Sequence, residues 1–392
     1  WDCRALSLRL IARNDSLRMK KIKTLLILSI ACMVALVVLI SLMIAAKNTI
    51  KTPSGKQTPT IAQSPTNIQK RFIIKGSIPY WDQDNAFSSF MQNVNSFDYI
   101  NLFWYYLSSD GTIVKYSFAK EDKSIIDFAH DNNVNVFAVV TNLPEYDGSS
   151  WDSKRVEDVI THEDIKNAHI GNIVNKLNQL DFDGVIIDYE EVDPFLKDDF
   201  SSFIKSLSEV LHRSNKLLAV ALHPKNNVSD RGNGEFQDWE ALAKYADQLN
   251  IMAYGEHWDE SSAGPIASFG WVEKIIKYTK QLDINPRKFI LGIPLYGYDW
   301  NKDHGETAQG LTYKDIQNLL VEFDKKEEWD SQSSSPYFLY TPNEDNHKVW
   351  FENARTVMTK IELAKKAEFS GVTFWRLGGE DPDIWKIIGP LR

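Results

Sequence analysis

Cysteine is all but missing from this 392-residue chain: Cys3 and Cys32 are the only two, and none follows them. Beyond residue 32 disulfide staples are therefore excluded, and with them the small secreted scaffolds that depend on such cross-links. A secreted animal domain of this size usually carries some, so the pattern points to a bacterial protein held by an ordinary apolar core. Positive charge is also outnumbered once the first 70 residues are set aside. The chain carries −9 overall, yet residues 1–23 hold about +5 and residues 47–70 about +4, which leaves about −18 on the rest. So acidic a body excludes nucleic acid and anionic lipid as partners of its surface, and favours a neutral or cationic ligand. No Gly-rich phosphate loop and no Ser-His-Asp arrangement is present. His162 and His169 do not match a metal-ligand helix motif and read as surface helix positions. Asn227-Val228-Ser229 fits a glycosylation acceptor, a pattern with little weight in a bacterial chain.

What is present begins with an apolar run. Thr24 to Ala46 contains no charge and is long enough to cross a bilayer as a helix. Basic residues precede it, so the positive-inside bias places the N-terminus in the cytoplasm and the remainder outside. Met19, followed by Lys20, Lys21 and Lys23, reads as the true start, with residues 1–18 upstream of it. The run exceeds a usual signal core, which favours an uncleaved anchor over a cleaved leader. Cys32 after Ala31 hints at lipid attachment, but the apolar run continues well past it. Residues 47–70, rich in Thr, Pro, Ser and Gln, read as an extended tether.

From Arg71 the chain alternates short β-branched or aromatic runs with amphipathic stretches, the signature of βα units and a parallel sheet. The content of 43% hydrophobic and 12% aromatic residues is enough for a large core. Strands are predicted at 72–79, 98–105, 134–141, 182–189, 216–222, 248–254, 288–294 and 370–376. The 3.6-residue period predicts helices over 200–213 and 271–282. Eight such units over residues 71–392 are what a (β/α)8 TIM barrel requires. A doubly wound sheet competes, but no phosphate loop follows the first strand. The long, polar interval between strands seven and eight predicts a small α+β insertion at about 301–350.

Barrel chemistry gathers where strands end, and the fourth ends in Asp183-Gly184-Val185-Ile186-Ile187-Asp188-Tyr189-Glu190. Side chains alternate along a strand, so Ile186, Asp188 and Glu190 share one face. Two neighbouring carboxylates repel, which raises at least one pKa and lets it hold a proton near neutral pH, as a general acid must. On these residues alone, capping of the next helix explains an acidic pair equally well.

FDGVIIDYEEV nevertheless resembles the signature of glycoside hydrolase family 18, the chitinase-like barrels, whose pattern is Asp-Gly-x-Asp-x-Asp-x-Glu. NIMAYGEHW (250–258), AGPIASFGWVEKIIKY (263–278), KFILGIPLYGYDW (288–300) and GVTFWRLGGEDPDIW (371–385) are similar to the bacterial spore-cortex and peptidoglycan N-acetylglucosaminidase branch. The resemblance covers residues 72–389. It implies a mechanism without a protein nucleophile, in which the substrate's 2-acetamido oxygen attacks the anomeric carbon. By motif position, Glu190 would protonate the leaving oxygen and later activate water. Asp188 would hold the acetamido N–H and offset charge on the oxazolinium ion, Tyr254 would hydrogen-bond the acetamido carbonyl, and Trp375 would floor the sugar subsite. Trp81, Tyr298, Trp300 and Glu256 are further candidates for substrate contact, with plain packing as probable as contact for Tyr298 and Trp300. His257 reads as structural. No metal or organic cofactor is implied.

Two departures stand out. The middle Asp of the signature is Ile186, where the spore-type branch usually has Asn, so Asp188 loses its resting partner. It is then expected to stay turned toward Glu190, the pair sharing a proton. The Asp that usually follows the strand-six Tyr is Gly255, which removes a hydrogen bond to the sugar worth about 1 kcal/mol. The expectation is a membrane-anchored, extracytoplasmic bacterial glycosidase, monomeric in its barrel, acting on a polysaccharide of N-acetylated amino sugars such as peptidoglycan or chitin. The rivals are a catalytically silent glycan-binding lectin of the cell envelope and a structural partner in polysaccharide assembly.

Overall fold

The structure is a computed structural model; it describes residues 71–389 except 146–149, 228–231, 302 and 304–306. The apolar run 24–46 and the tether 47–70 lie outside the described residues, and no described helix is long and apolar enough to cross a membrane.

The β-rich runs form β1 (Ile73–Pro79), β2 (Tyr99–Leu107), a short β3 (Ile113–Lys115), β4 (Asn135–Thr141), β5 (Gly184–Asp188), β6 (Leu217–Leu222), β7 (Gln248–Ile251) and β8 (Phe289–Pro294). An insertion follows, with β9 (Tyr296–Asn301), β10 (Gln309–Thr312), β11 (Glu328–Asp330), β12 (Ser335–Tyr340) and β13 (His347–Phe351), before β14 (Gly371–Trp375) ends the series. Strands β1, β14, β8, β7, β6, β5, β4 and β2 pair in that order, all parallel, and β2 returns to β1. This is a closed eight-stranded barrel; β3 is an antiparallel appendage on β2. The insertion is a separate antiparallel sheet, ordered β10-β9-β13-β12-β11, with its own apolar cluster that includes Leu311, Ile316, Phe338 and Phe351.

Local chemistry explains the helices. Lys197–Arg213 buries Phe200, Phe203, Ile204, Leu207 and Leu211, the i, i+3, i+4 stripe that docks a helix on a sheet. Phe269–Thr279 starts where the Ser268 side chain accepts from the Trp271 backbone N–H. Toward the N-terminal end of the barrel, fully buried Lys75 donates to Gln248 Oε1 at 2.7 Å and lies 4.6 Å from the Phe137 ring centroid. Burial lowers its pKa to about 7.

Two expectations change. The strand predicted at 248–254 stops at Ile251, because Ala253 and Tyr254 turn away through tight bonds, Ala253 N–H to Ile251 O and Tyr254 N–H to Met252 O. His169 is not a surface position. It is fully buried, meeting Gly111 O at 2.9 Å through Nδ1 and the Tyr189 hydroxyl at 2.7 Å through Nε2. Both are residues a helical wheel cannot bring to it. Burial pulls the imidazole pKa down to about 4. The unfolded chain therefore binds a proton near pH 6.5 that the folded chain refuses, and stability falls as pH drops from there toward 4. The loss is about 1.4 kcal/mol per pH unit over that window. Asp188 and Glu190, raised by burial, pull the other way in the same window, so the test is the difference between proteins: urea melts at pH 6.5 and 4.5 should lose less stability, or gain more, in His169→Gln than in wild type, by this slope.

Candidate active site

Asp188 is the last residue of β5 and sits level with Thr141 of β4; Glu190 follows two residues on, just past the strand. Asn142 fixes the position of that turn. Its side-chain Oδ1 accepts from Glu190 N–H at 2.8 Å while its Nδ2 donates to Glu190 O at 2.9 Å, so a fully buried amide brackets the residue. On the outer face, Tyr189 is held by His169. The expected alternation holds as far as the strand runs: Ile186 and Asp188 line the barrel interior, and Ile187 and Tyr189 are buried outside it, whereas Glu190 lies past the strand end and does not line the cavity.

Above the barrel core lies a cavity of about 50 Å³ whose walls include Ile186, Asp188, Asn101, Asn250, Tyr254 and Trp375. Asp188, Tyr254 and Trp375 thus meet at one void, though they come from the ends of β5, β7 and β14. Asp188 is only 9% exposed, and its Oδ1 finds no hydrogen-bond partner. Burial pushes its pKa up to about 7. Glu190 is raised well above the ordinary range, first by burial and then by the charges of Asp188 and Glu191. Burial, then the negative charge of Asp188 and Glu190, also raises the Tyr254 hydroxyl, so it remains a neutral donor.

Trp81 is half-exposed, with its ring centroid 6.0 Å from Trp375 at 67°, and Phe103 lies 5.3 Å from Trp375. Together they form an angled apolar wall beside the cavity. Trp300 is buried, and its Nε1 donates to Ser261 O at 2.9 Å within a cluster of Ile266, Ala308 and Trp350. Tyr298 is partly buried beside it, 5.5 Å between ring centroids. Glu256 is engaged by the Ser268 backbone N–H at 2.6 Å, which ties the loop after β7 to the helix it precedes. Gly255 adopts φ +82°, a left-handed conformation that most side chains disfavour and glycine takes freely.

Three neighbours of the site were not legible as such: Asn142, His223 and Tyr296. His223 Nε2 lies 3.4 Å from Glu190 Oε2. Tyr296, the first residue of the insertion's sheet, packs in the same cluster as Tyr254. A polar residue directly after a predicted strand is the shared signal for Asn142 and His223; Tyr296 had none. Among the described residues no group of three or more His, Cys, Asp or Glu is gathered as metal ligands would be. The constellation is a carboxyl, a phenol and an indole around one small well, with a second protonatable carboxyl, Glu190, two residues beyond the first and outside the well's lining. It can deliver a proton and hold a neutral amide-bearing ligand.

Comparison with known proteins agrees with this geometry. The profile for glycosyl hydrolases family 18 matches residues 147–381. The uncharacterized glycosylase YvbX of Bacillus subtilis is 28% identical over 267 residues, 67% of this chain and 76% of that protein. The cortical fragment-lytic enzyme of Bacillus subtilis is 26% identical over 299 residues, 74% of this chain and 67% of that enzyme. Among solved structures, the Bacillus cereus spore cortex-lytic enzyme SleL superposes with TM-score 0.74 at 22% identity, covering 82% of this chain and 74% of that one. A Chromobacterium violaceum chitinase gives 0.72 at 25% identity, covering 82% and 98%.

Proposed function

The chain belongs to glycosyl hydrolase family 18, and from that premise we propose that it cleaves β-linked polysaccharide containing N-acetylated amino sugars, with Glu190 as the proton donor. The observation that carries the reading is the shared cavity of Asp188, Tyr254 and Trp375, with the protonatable Glu190 two residues after Asp188.

In this reading the sugar ring rests against Trp375, and its 2-acetamido group enters the well beneath. The unpartnered Oδ1 of Asp188 is free to accept the acetamido N–H, and the neutral Tyr254 hydroxyl to donate to the acetamido carbonyl. Both contacts aim the carbonyl oxygen at the anomeric carbon. Attack by a tethered group replaces a bimolecular encounter, which is where such catalysis gains most of its rate. Glu190 gives its proton to the departing glycosidic oxygen. As carboxylate it then takes a proton from the water that opens the cyclic intermediate, restoring the acid and retaining the anomeric configuration. Positive charge on that intermediate is offset by Asp188 in a water-poor site, where fixed charges act strongly. Since Ile186 offers Asp188 no polar partner from below, we assign it a single orientation, toward Glu190, with one proton shared between the two.

Tyr254→Phe removes only the hydroxyl. The expected result is a fall in kcat of about 10- to 100-fold with little change in melting temperature, because a hydrogen bond to a charge-bearing group is worth about 1.5–3 kcal/mol. Steady-state assays on chitin oligosaccharides measure it directly.

The substrate is expected within reach of the cell's own envelope, as peptidoglycan. The apolar run 24–46 and the tether 47–70 support a membrane-bound, extracytoplasmic placement. The full-length chain incubated with purified peptidoglycan should release new reducing ends carrying N-acetylglucosamine. No such release, from peptidoglycan or from chitin, sinks the proposal. Membrane fractionation should recover the protein with the bilayer, and a shaved cell should lose the barrel. A silent lectin is not supported by any observation here, since Glu190 is in place and the relatives carry enzymatic names.

A further inference from the structure

One neighbour of Glu190 takes no part in the steps above. His223 stands just after β6, 9% exposed, with its ring Nε2 3.4 Å from Glu190 Oε2. That nitrogen is buried and has no hydrogen-bond partner. The surroundings hold the ring in place. His223 N–H donates to Gln237 Oε1 at 2.8 Å, and Gln237 Nε2 donates to Ala221 O at 2.9 Å, so one buried amide grips the strand end at two points. Phe236 meets the imidazole edge-on, 6.5 Å between centroids at 74°. Gly234 lies so near that a Cβ there would come within 2.7 Å of His223 Cβ. The 234–237 segment is thus fitted around the imidazole. An imidazole nitrogen left buried and unpaired is destabilising, a cost that disappears in any state where the nitrogen finds a partner.

We propose that His223 is a positioning residue for Glu190: its Nε2–H donates to Oε2 of the carboxyl, so that the acidic proton sits on Oε1 and faces the glycosidic oxygen. The present separation is slightly long for the bond, as catalytic contacts often are before substrate arrives, and a small turn of the carboxyl closes it. Once Glu190 has given up its proton, the acceptor is charged and the bond roughly doubles in strength. The donor therefore favours the carboxylate and makes Glu190 a stronger acid. Burial, followed by the charge of Lys225, pulls the imidazole's own pKa down to about 4, so the ring stays neutral and does not compete for the proton. Other titratable groups facing Glu190 are Asp188 and Glu191 from its own segment and Tyr254 from the end of β7. Asp188 and Glu191 both weaken the acid, and His223 is placed to oppose them. Lys225 itself is turned to Gln237 O at 2.6 Å.

The proposal rests on Glu190 being the acid, so its test includes a readout that needs no turnover. His223→Phe keeps the ring's bulk and removes the donor; His223→Gln keeps a donor near the same place. In the full-length chain the Phe variant should lose about 10-fold in kcat with KM within about twofold, and its upper pH limb should move up by about half a unit to one unit. The Gln variant should recover most of both. A ¹³C titration of the Glu190 carboxyl should show the same rise and the same recovery. If the Glu190 titration is unchanged in His223→Phe, or if the Phe and Gln variants are equally slow, the positioning role is overturned and the ring is only packing. If the wild-type chain hydrolyses nothing, the glycosidase reading fails, while the titration still decides His223. Should the Phe variant not fold, the ¹⁵N signals of His223 in the wild type decide: a protonated Nε2 is expected, and an unprotonated one overturns the proposal.

Discussion

Glu190→Gln is expected to cut glycan cleavage by about 10³-fold while leaving glycan binding intact, since a positioned proton donor contributes about 10²–10⁴ to such reactions. The amide matches the carboxyl in size and can still accept from His223, so the cavity keeps its shape. Nothing else among the groups at the well is poised to donate in its place. The Tyr254 hydroxyl is held far above neutral pH, and Asp188 lies below the sugar plane in the proposed pose. The wild-type pH–rate profile carries a second expectation. Burial and the neighbouring charge of Asp188 raise Glu190, so the falling limb should lie above the range of an ordinary carboxyl. A falling limb at an unperturbed carboxyl value would contradict both the shared proton and the assignment of the acid. Equal binding by wild type and variant, with neither cleaving, would instead favour a lectin.

Asp188→Asn should separate activity from stability. Activity is expected to fall by about 10²- to 10³-fold, the usual cost of removing one group that stabilises developing charge. Stability should move the other way. The carboxyl is raised by burial to about 7, well above its value in the unfolded chain. Below about pH 4 it is protonated in both states, and the substitution costs or gains little. As pH rises toward 7 the unfolded chain releases the proton and the folded chain does not, so the wild type loses stability over that window. Asparagine never pays this penalty. The variant should therefore melt higher than wild type at pH 7–8, by an amount of order a few kcal/mol, with the gain vanishing near pH 4. A variant that melts lower at pH 8 would show that Asp188 is already satisfied in the resting protein.

The barrel was legible because its strands are buried on both faces and so appear as unbroken apolar runs, such as Val136–Val140 and Val185–Ile187. Helices with a clean stripe, such as Lys197–Arg213, were legible for the same reason. Asp188, Glu190, Tyr254 and Trp375 were singled out through their motifs, and folding brings Asp188, Tyr254 and Trp375 to one void. Other features depend on contacts that no spacing encodes. Tyr296–Asn301 has no β-branched residue, yet it forms a central strand, because β13 and β10 flank it. His169 reads as polar helix surface until Tyr189 and Gly111 arrive from elsewhere in the chain. Asn142 and His223 are ordinary polar residues after strands, and their relation to Glu190 exists only once β4, β5 and β6 lie side by side. Ala253 and Tyr254 continue an apolar pattern, but the backbone leaves the ladder after Met252, whose N–H still donates to Leu222 O.

Between β8 and β9 the chain has a single residue, Leu295, and its N–H donates to Trp375 O at 2.7 Å. The antiparallel sheet is thereby fastened to the strand end that carries the indole. So short a link, bonded to the strand end beside it, keeps the insertion's first strand in register with the residue that carries the indole.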